Sequence, residues 1–334
     1  MRSTRCSRSI WCFSCARHRL RKFSSPIIQL LPIHKLLQPQ LQFSPTSLLA
    51  LNICLGIIMF GVALEIKPSH FIQLRHEKKS VATGLFSQYI ILPIVTLLLI
   101  VVITPPPGIA LGMLLVAACP GGNASNFFSM LAGGHVALSV TLTAITSILA
   151  FAITPISFFT FSSLIPGLTT EIKSFDINFF DLFLNMTCIL LLPLITGMLV
   201  LHYLPHIAAK IGKPIRSLSI ILLIAFIVVA LRNNFSVLSN HIFSIFWIVV
   251  LHNGIALLVA YFASKFFGNH EAVNRTVAIE TAIQNSGLGL VLIFTFFKGN
   301  SEMAIVAAWW GIWHLVSGFA FAYYCKRKPI HAST

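Results

Sequence analysis

From residue 48 to residue 324 the chain is a succession of long apolar stretches divided by short polar ones. They read as Leu48–Ile66, Val81–Thr104, Ile109–Leu131, Val136–Leu164, Phe179–Leu204, Leu218–Leu231, Ile242–Phe267, Ala272–Phe297 and Met303–Tyr324. About 20 apolar residues in a helix cross a bilayer. Only 9% of the 334 residues are charged, against roughly a quarter in a soluble domain. A chain so poor in charge cannot cover a folded surface with solvated groups, so its solvent is lipid. The pattern predicts an all-α integral membrane protein with nine clear spans and one doubtful span ahead of them.

The doubtful span falls in a front segment unlike the rest. Residues 1–45 are rich in Arg and Ser and contain no acid before Gln42. The segment reads as a basic tail, an organelle transit peptide or a degenerate first helix. Its most apolar part, Pro26–Leu41, is interrupted by Pro32, His34, Lys35 and Pro39. A transmembrane domain over 46–325 and a basic cytoplasmic tail over 326–334 complete the expected organisation.

The net charge of +15 implies lipid headgroups rather than nucleic acid, because no soluble domain exists to present a binding face. Alternate connections hold Arg75/Lys78/Lys79, Lys210/Lys213/Arg216, Lys265/Arg275 and Lys326/Arg327/Lys328. The others hold Pro105–Pro107, Glu171/Asp176/Asp181, Asn233/Asn234 and Gly299–Glu302. The basic set is expected on the cytoplasmic side. The seven cysteines are scattered, and Cys12 and Cys15 lack the second pair a zinc site needs.

Two spans are not uniformly apolar. The first holds Cys119-Pro120-Gly121-Gly122-Asn123-Ala124-Ser125-Asn126. Proline lacks a donor and glycine weakens a helix, so the backbone is expected to open here. Open backbone at membrane depth survives only where it is buried in protein or lines a cavity. The second holds Glu280-Thr281-Ala282-Ile283-Gln284-Asn285-Ser286-Gly287. An acid inside the membrane is costly and marks a functional site; Glu280 and Gln284 share one helix face. A structural alternative pairs Glu280 with His252 or His314. A third feature, Ser139 and Thr143, places two hydroxyls on one face.

Counting the doubtful helix, the two broken spans are fourth and ninth. Two halves of five helices would then be inverted in the membrane, with their discontinuous helices crossing at the midplane. One carboxylate, amides, hydroxyls and freed carbonyls suit a hard monovalent cation. Broken-helix N-termini suit an anion.

Cys119–Asn126, His135-Val136-Ala137-Leu138-Ser139, Leu251-His252-Asn253-Gly254 and Glu280…Gln284-Asn285-Ser286-Gly287-Leu288, with Met59-Phe60-Gly61 and Leu64, resemble the bile acid:sodium symporter family over about residues 50–324. The resemblance implies ten helices in core and panel domains and two sodium sites. Ser125, Asn126, Ser139, Thr143 and Glu280 would form one. Gln88, Glu280, Gln284 and the carbonyls of Thr281 and Ile283 would form the other. Asn123, Asn285 and His314 are candidates for the substrate side. The chain departs from the pattern at Asn123, where Thr is common, and at Leu315, where some bacterial relatives carry Asn.

The expected function is sodium-coupled import of a small organic anion by alternating access, with sodium as coupling ion and no cofactor. Proton-coupled transport through Glu280 or His314 is the alternative. An intramembrane enzyme finds no nucleophile elbow, HExxH or second catalytic carboxylate to support it. The protein is expected to act as a monomer in a bacterial inner membrane, with a plastid envelope as the second choice.

Overall fold

Helices fill the described residues because apolar backbone in lipid has no other donor or acceptor to turn to. The computed structural model describes residues 45–64, 77–175, 179–233 and 235–328. They belong to one unit, Gln38–Thr334. The readings of residues 1–44 and 329–334 lie outside the described residues.

Twelve helices run through the described residues. They are α1 (Pro45–Ala63), α2 (Lys78–Ile103), α3 (Pro107–Ala118), α4 (Ala124–Leu131), α5 (Val136–Ser163) and α6 (Pro166–Ser174). Next come α7 (Phe179–Met186, continuing through Leu192–Tyr203), α8 (Pro205–Asn233), α9 (Phe235–Phe266), α10 (Glu271–Ala282), α11 (Ser286–Phe296) and α12 (Ser301–Lys326). No strand occurs among the described residues; the one extended pairing there is an antiparallel bridge between Gly121 and Gln284. Five stretches are long and apolar enough to cross a membrane by length and composition: Lys78–Ile103, Val136–Ser163, Leu182–Tyr203, Ile245–Phe266 and Ser301–Lys326.

Both expected breaks are present. The span read at Ile109–Leu131 is α3 and α4, and the span read at Ala272–Phe297 is α10 and α11. A 12-residue helix such as α3 is only about 18 Å long, well short of a hydrocarbon core of about 30 Å. Each half therefore depends on its continuation.

Two helices change pitch inside spans that read as unbroken. α2 widens into a π turn at Ser87–Ile91 and α7 does so at Thr187–Leu191. Each turn ends just before a Leu-Pro pair, Leu92-Pro93 and Leu192-Pro193. Proline offers no N–H to the carbonyl four residues back, and its ring collides with that carbonyl. One extra residue in the turn relieves both problems.

α10 packs against α9, α5 and α4, while α12 packs against α3, α9 and α11. α1, α7 and α8 pack mainly on one another. Gly112 lets α3 approach α12 closely: a Cβ there would lie 2.9 Å from the Met303 Cα. The turn between α4 and α5 uses Gly133 at φ +64°, a left-handed conformation suited to a residue without a Cβ.

Two groups of charges sit differently from the expected loops. Lys210, Lys213 and Arg216 lie within α8, which begins at Pro205; a proline at a helix start costs nothing, since its missing N–H is unpaired there anyway. Arg275 is buried in α10. Its Nη1 donates to the carbonyls of Ala132 at 2.8 Å and Cys325 at 3.2 Å, and Nη2 donates to that of Lys328 at 2.6 Å. Its Nε donates to Glu271 at 2.8 Å. A guanidinium with five donors thus reaches carbonyls at the ends of both α4 and α12, where intrahelical partners run out; that of Cys325 also accepts from Lys328 N–H at 3.0 Å.

Candidate functional site

The two breaks cross. Gly122 N–H donates to the Ile283 carbonyl at 2.8 Å, and Asn285 N–H donates to the Pro120 carbonyl at 2.9 Å. Backbone freed by one interruption is therefore satisfied by the other. The crossing is tight at both glycines: a Cβ on Gly122 would lie 3.1 Å from the Gln284 carbonyl oxygen, and one on Gly121 would lie 3.0 Å from Glu280 Oε2, so a side chain at either would push its neighbour aside.

Around Glu280 the structure gathers the first predicted group. Ser125 stands in the first turn of α4, Ser139 and Thr143 stand one turn apart on α5, and all three are buried. Ser125 Oγ donates to Glu280 Oε1 at 2.5 Å, and Thr143 Oγ1 lies 3.0 Å from Oε2. Ser139 Oγ also bonds to Glu280 Oε1. Asn126 turns its amide oxygen inward, 2.9 Å from Ser139 Oγ and 3.4 Å from Thr143 Oγ1. The carboxylate is thus surrounded by neutral oxygens, not by a histidine. His252 is occupied elsewhere: Nε2 meets Thr96 Oγ1 at 2.7 Å and the ring lies edge-on to Trp310.

A second group sits beside the crossing. The π turn of α2 carries Gln88, whose Nε2 donates to Gln284 Oε1 at 2.7 Å and to the Cys119 carbonyl at 3.0 Å. Gln284 Nε2 returns a bond to Gln88 Oε1 at 3.2 Å and donates to the Thr281 carbonyl at 2.7 Å. The Ile283 carbonyl belongs to the crossing itself through Gly122. The hydrogen bonds of the Glu280 carboxylate run to the hydroxyl group, and Gly121 lies against its second oxygen.

The three substrate-side candidates stand on three different elements. Asn123 is exposed and precedes α4. Asn285 caps α11, its Oδ1 accepting from Leu288 N–H at 3.0 Å. His314 is buried on α12, and its Nδ1 has no hydrogen-bond partner among the described residues.

Two buried groups bordering the site are absent from the sequence-based set. Thr146 Oγ1 would lie 3.8 Å from a Cβ on Gly121, on the same gap as Glu280. Asn253 of α9 is fully buried and its Nδ2 donates to the Ala282 carbonyl at 2.8 Å. The available signal for Asn253 is the one that marks Gln88, a lone amide in an apolar span.

A family model described as the sodium bile acid symporter family matches residues 52–241. The "Uncharacterized sodium-dependent transporter YocS" of Bacillus subtilis (strain 168) is 32% identical over 278 residues, 83% of this chain and 83% of that protein. The rice (Oryza sativa subsp. japonica) "Probable sodium/metabolite cotransporter BASS2, chloroplastic" is 26% identical over 84% of this chain and 64% of its own length. The Arabidopsis thaliana "Probable sodium/metabolite cotransporter BASS1, chloroplastic" is 27% identical over 82% of this chain and 66% of its own length. The chain thus spans a little under two thirds of these plant relatives.

Proposed function

The chain belongs to the sodium bile acid symporter family, and from that membership we propose that it imports an organic anion together with sodium by alternating access. It is a membrane transporter and not an enzyme. The bilayer in this reading is a bacterial inner membrane, with the plastid envelope suggested by the names of the plant relatives as the alternative.

The observation that carries the sodium reading is a shortage of protons around Glu280. Ser125, Ser139 and Thr143 bring one hydroxyl proton each. Their oxygens, the Asn126 Oδ1 and the two carboxylate oxygens nevertheless form more close pairings than three protons can fill. Converging oxygens with surplus lone pairs around a single negative charge are what a hard monovalent cation needs. In this reading Ser125, Asn126, Ser139, Thr143 and Glu280 hold one sodium. Gln88, Gln284, the carbonyls of Thr281 and Ile283, and Glu280 hold a second on the other side of Gly121. Sodium neutralises the carboxylate and bridges α4, α5 and α10. That order prepares the α4 N-terminus, with Asn123, and the capping Asn285 for a carboxylate substrate. The same reading gives His314 to the substrate side.

Alternating access in this reading is movement of α1, α7 and α8, the panel, against a core formed by the other spans. The plan is a ten-helix inverted repeat. The test is uptake into proteoliposomes under an inward sodium gradient, against a panel of small organic anions and bile acids. At least one anion is expected to accumulate only when the sodium gradient points inward. Uptake that ignores sodium and tracks a proton gradient overturns the reading in favour of proton coupling.

A further inference from the structure

The interrupted segment of α10–α11 has carbonyls that no helix can satisfy, and each finds a different partner. Thr281 accepts from Gln284 Nε2, Ile283 accepts from Gly122 N–H, and Gln284 accepts from Ser286 N–H at 2.9 Å. Ala282, the last residue of α10, accepts from Asn253 Nδ2 at 2.8 Å. Gly122, Gln284 and Ser286 belong to the two breaks themselves. Asn253 comes from α9, a helix that does not break.

The position of this bond matters. Ala282 stands between Thr281 and Ile283, whose carbonyls the proposed second sodium site uses. A planar peptide turns as one body, so the bond that holds the Ala282 carbonyl also holds the Ile283 N–H, and each neighbouring carbonyl is left only one residue's φ and ψ to move in. Asn253 has no exposed surface, and its Oδ1 has no hydrogen-bond partner among the described residues. Burying an amide with half its capacity unused is costly, which a hydrophobic residue would avoid. The donor half is what the segment uses.

Resting on the sodium reading above, we propose that Asn253 is a positioning residue for the second sodium site: its amide N–H clamps the Ala282 carbonyl and so aims the Thr281 and Ile283 carbonyls at the ion. It acts through the backbone, not as a ligand.

The test uses purified full-length protein in detergent. Its thermal midpoint is tracked as NaCl replaces choline chloride at constant ionic strength. Three variants are compared with wild type: Asn253→Leu, which keeps the branched shape but loses the donor, Asn253→Ala, and Glu280→Ala. The sodium concentration giving half the stabilisation is expected to rise at least tenfold in both Asn253 variants, with a shallower response. Monodispersity and the midpoint in choline alone report folding, and the near-isosteric Asn253→Leu carries the test where Asn253→Ala does not insert. An Asn253→Leu protein that binds sodium within twofold of wild type, or more tightly, overturns the inference, because the donor would then be dispensable. If Glu280→Ala also keeps its sodium response, the sodium reading itself has failed. If Glu280→Ala loses it and Asn253→Leu does not, only the role of Asn253 has failed.

Discussion

The break between α3 and α4 and the break between α10 and α11 meet at Gly121 and Gln284, yet the rest of the molecule encloses the two to different degrees. α10 is buried from Val273 to Ala282, and α11 is buried from Ser286 to Phe294. α3 is likewise buried from Gly108 to Ala118, so the difference lies in α4, which buries Ser125, Phe128 and Ser129 while Phe127 and Met130 are exposed, as is Asn123 before it. The charge divides the same way: Glu280 lies at the enclosed break, and the half-open one offers neutral oxygens. A carboxylate in the membrane must be surrounded to be tolerated. Neutral hydroxyls at the end of a half-exposed helix can be presented or withdrawn at far lower cost. In the sodium reading the enclosed break supplies the charge that holds the ion, and the other lends it Ser125 and Asn126 from a helix that can meet what changes during transport.

The sharpest way to break that assignment is Glu280→Ala, which removes the one charge at the crossing. Sodium-dependent stabilisation and uptake are expected to vanish while the protein still inserts, as read by thermal shift and proteoliposome flux. Retained sodium response would place the ion elsewhere. Ser125→Ala comes next. A hydrogen bond to a charged group is worth about 1.5–3 kcal/mol, and a factor of ten in affinity is about 1.4 kcal/mol. The sodium titration midpoint is expected to rise roughly tenfold to a hundredfold. A Ser125→Ala protein as sodium-responsive as wild type would leave α4 with no part in the ion site. The smallest change in sodium affinity is expected for Asn123→Ala, below about twofold, since its side chain makes no capping bond and surface substitutions usually cost under ~0.5 kcal/mol. Its effect should fall on the substrate KM at saturating sodium. A large sodium effect here would extend the ion site past Ser125 to the exposed start of α4.

Much of the crossing was legible because its signals are local. Pro120-Gly121-Gly122 cannot continue a helix, and Glu280 cannot sit in lipid without a purpose; the residues alone say both. The one-turn spacing of Ser139 and Thr143 likewise sets their shared face. What escapes such a reading depends on distance in the chain. Arg275 reads as a loop charge because a cation beside a span ordinarily stays at the surface. Here carbonyls of Ala132, Cys325 and Lys328 converge on it, and no property of residue 275 announces them. Asn253 is marked in the sequence as an amide in an apolar span, but its role is not, since its partner is Ala282. The π turns are invisible because a proline in an apolar span reads as a kink, whereas the chain resolves both clashes by lengthening a turn.

The π turn at Ser87–Ile91 has a consequence for which changes α2 can bear. Its two ends are fastened to different partners: Lys79 and Thr83 reach Gly268 and Asn269, while Thr96 reaches His252. Between them the helix carries one residue more than a regular spiral would, and Gln88 lies within that surplus. The helix is thus set in phase at both ends, with its slack stored beside the ion-side amide. Removing one residue between Gln88 and Pro93 would return the spiral to even pitch and leave its two ends in phase, whereas the same loss from a regular helix turns one end against the other by about 100°. The fastenings at the ends would survive such a deletion. The aim of Gln88, and the room the turn makes for Pro93, would not.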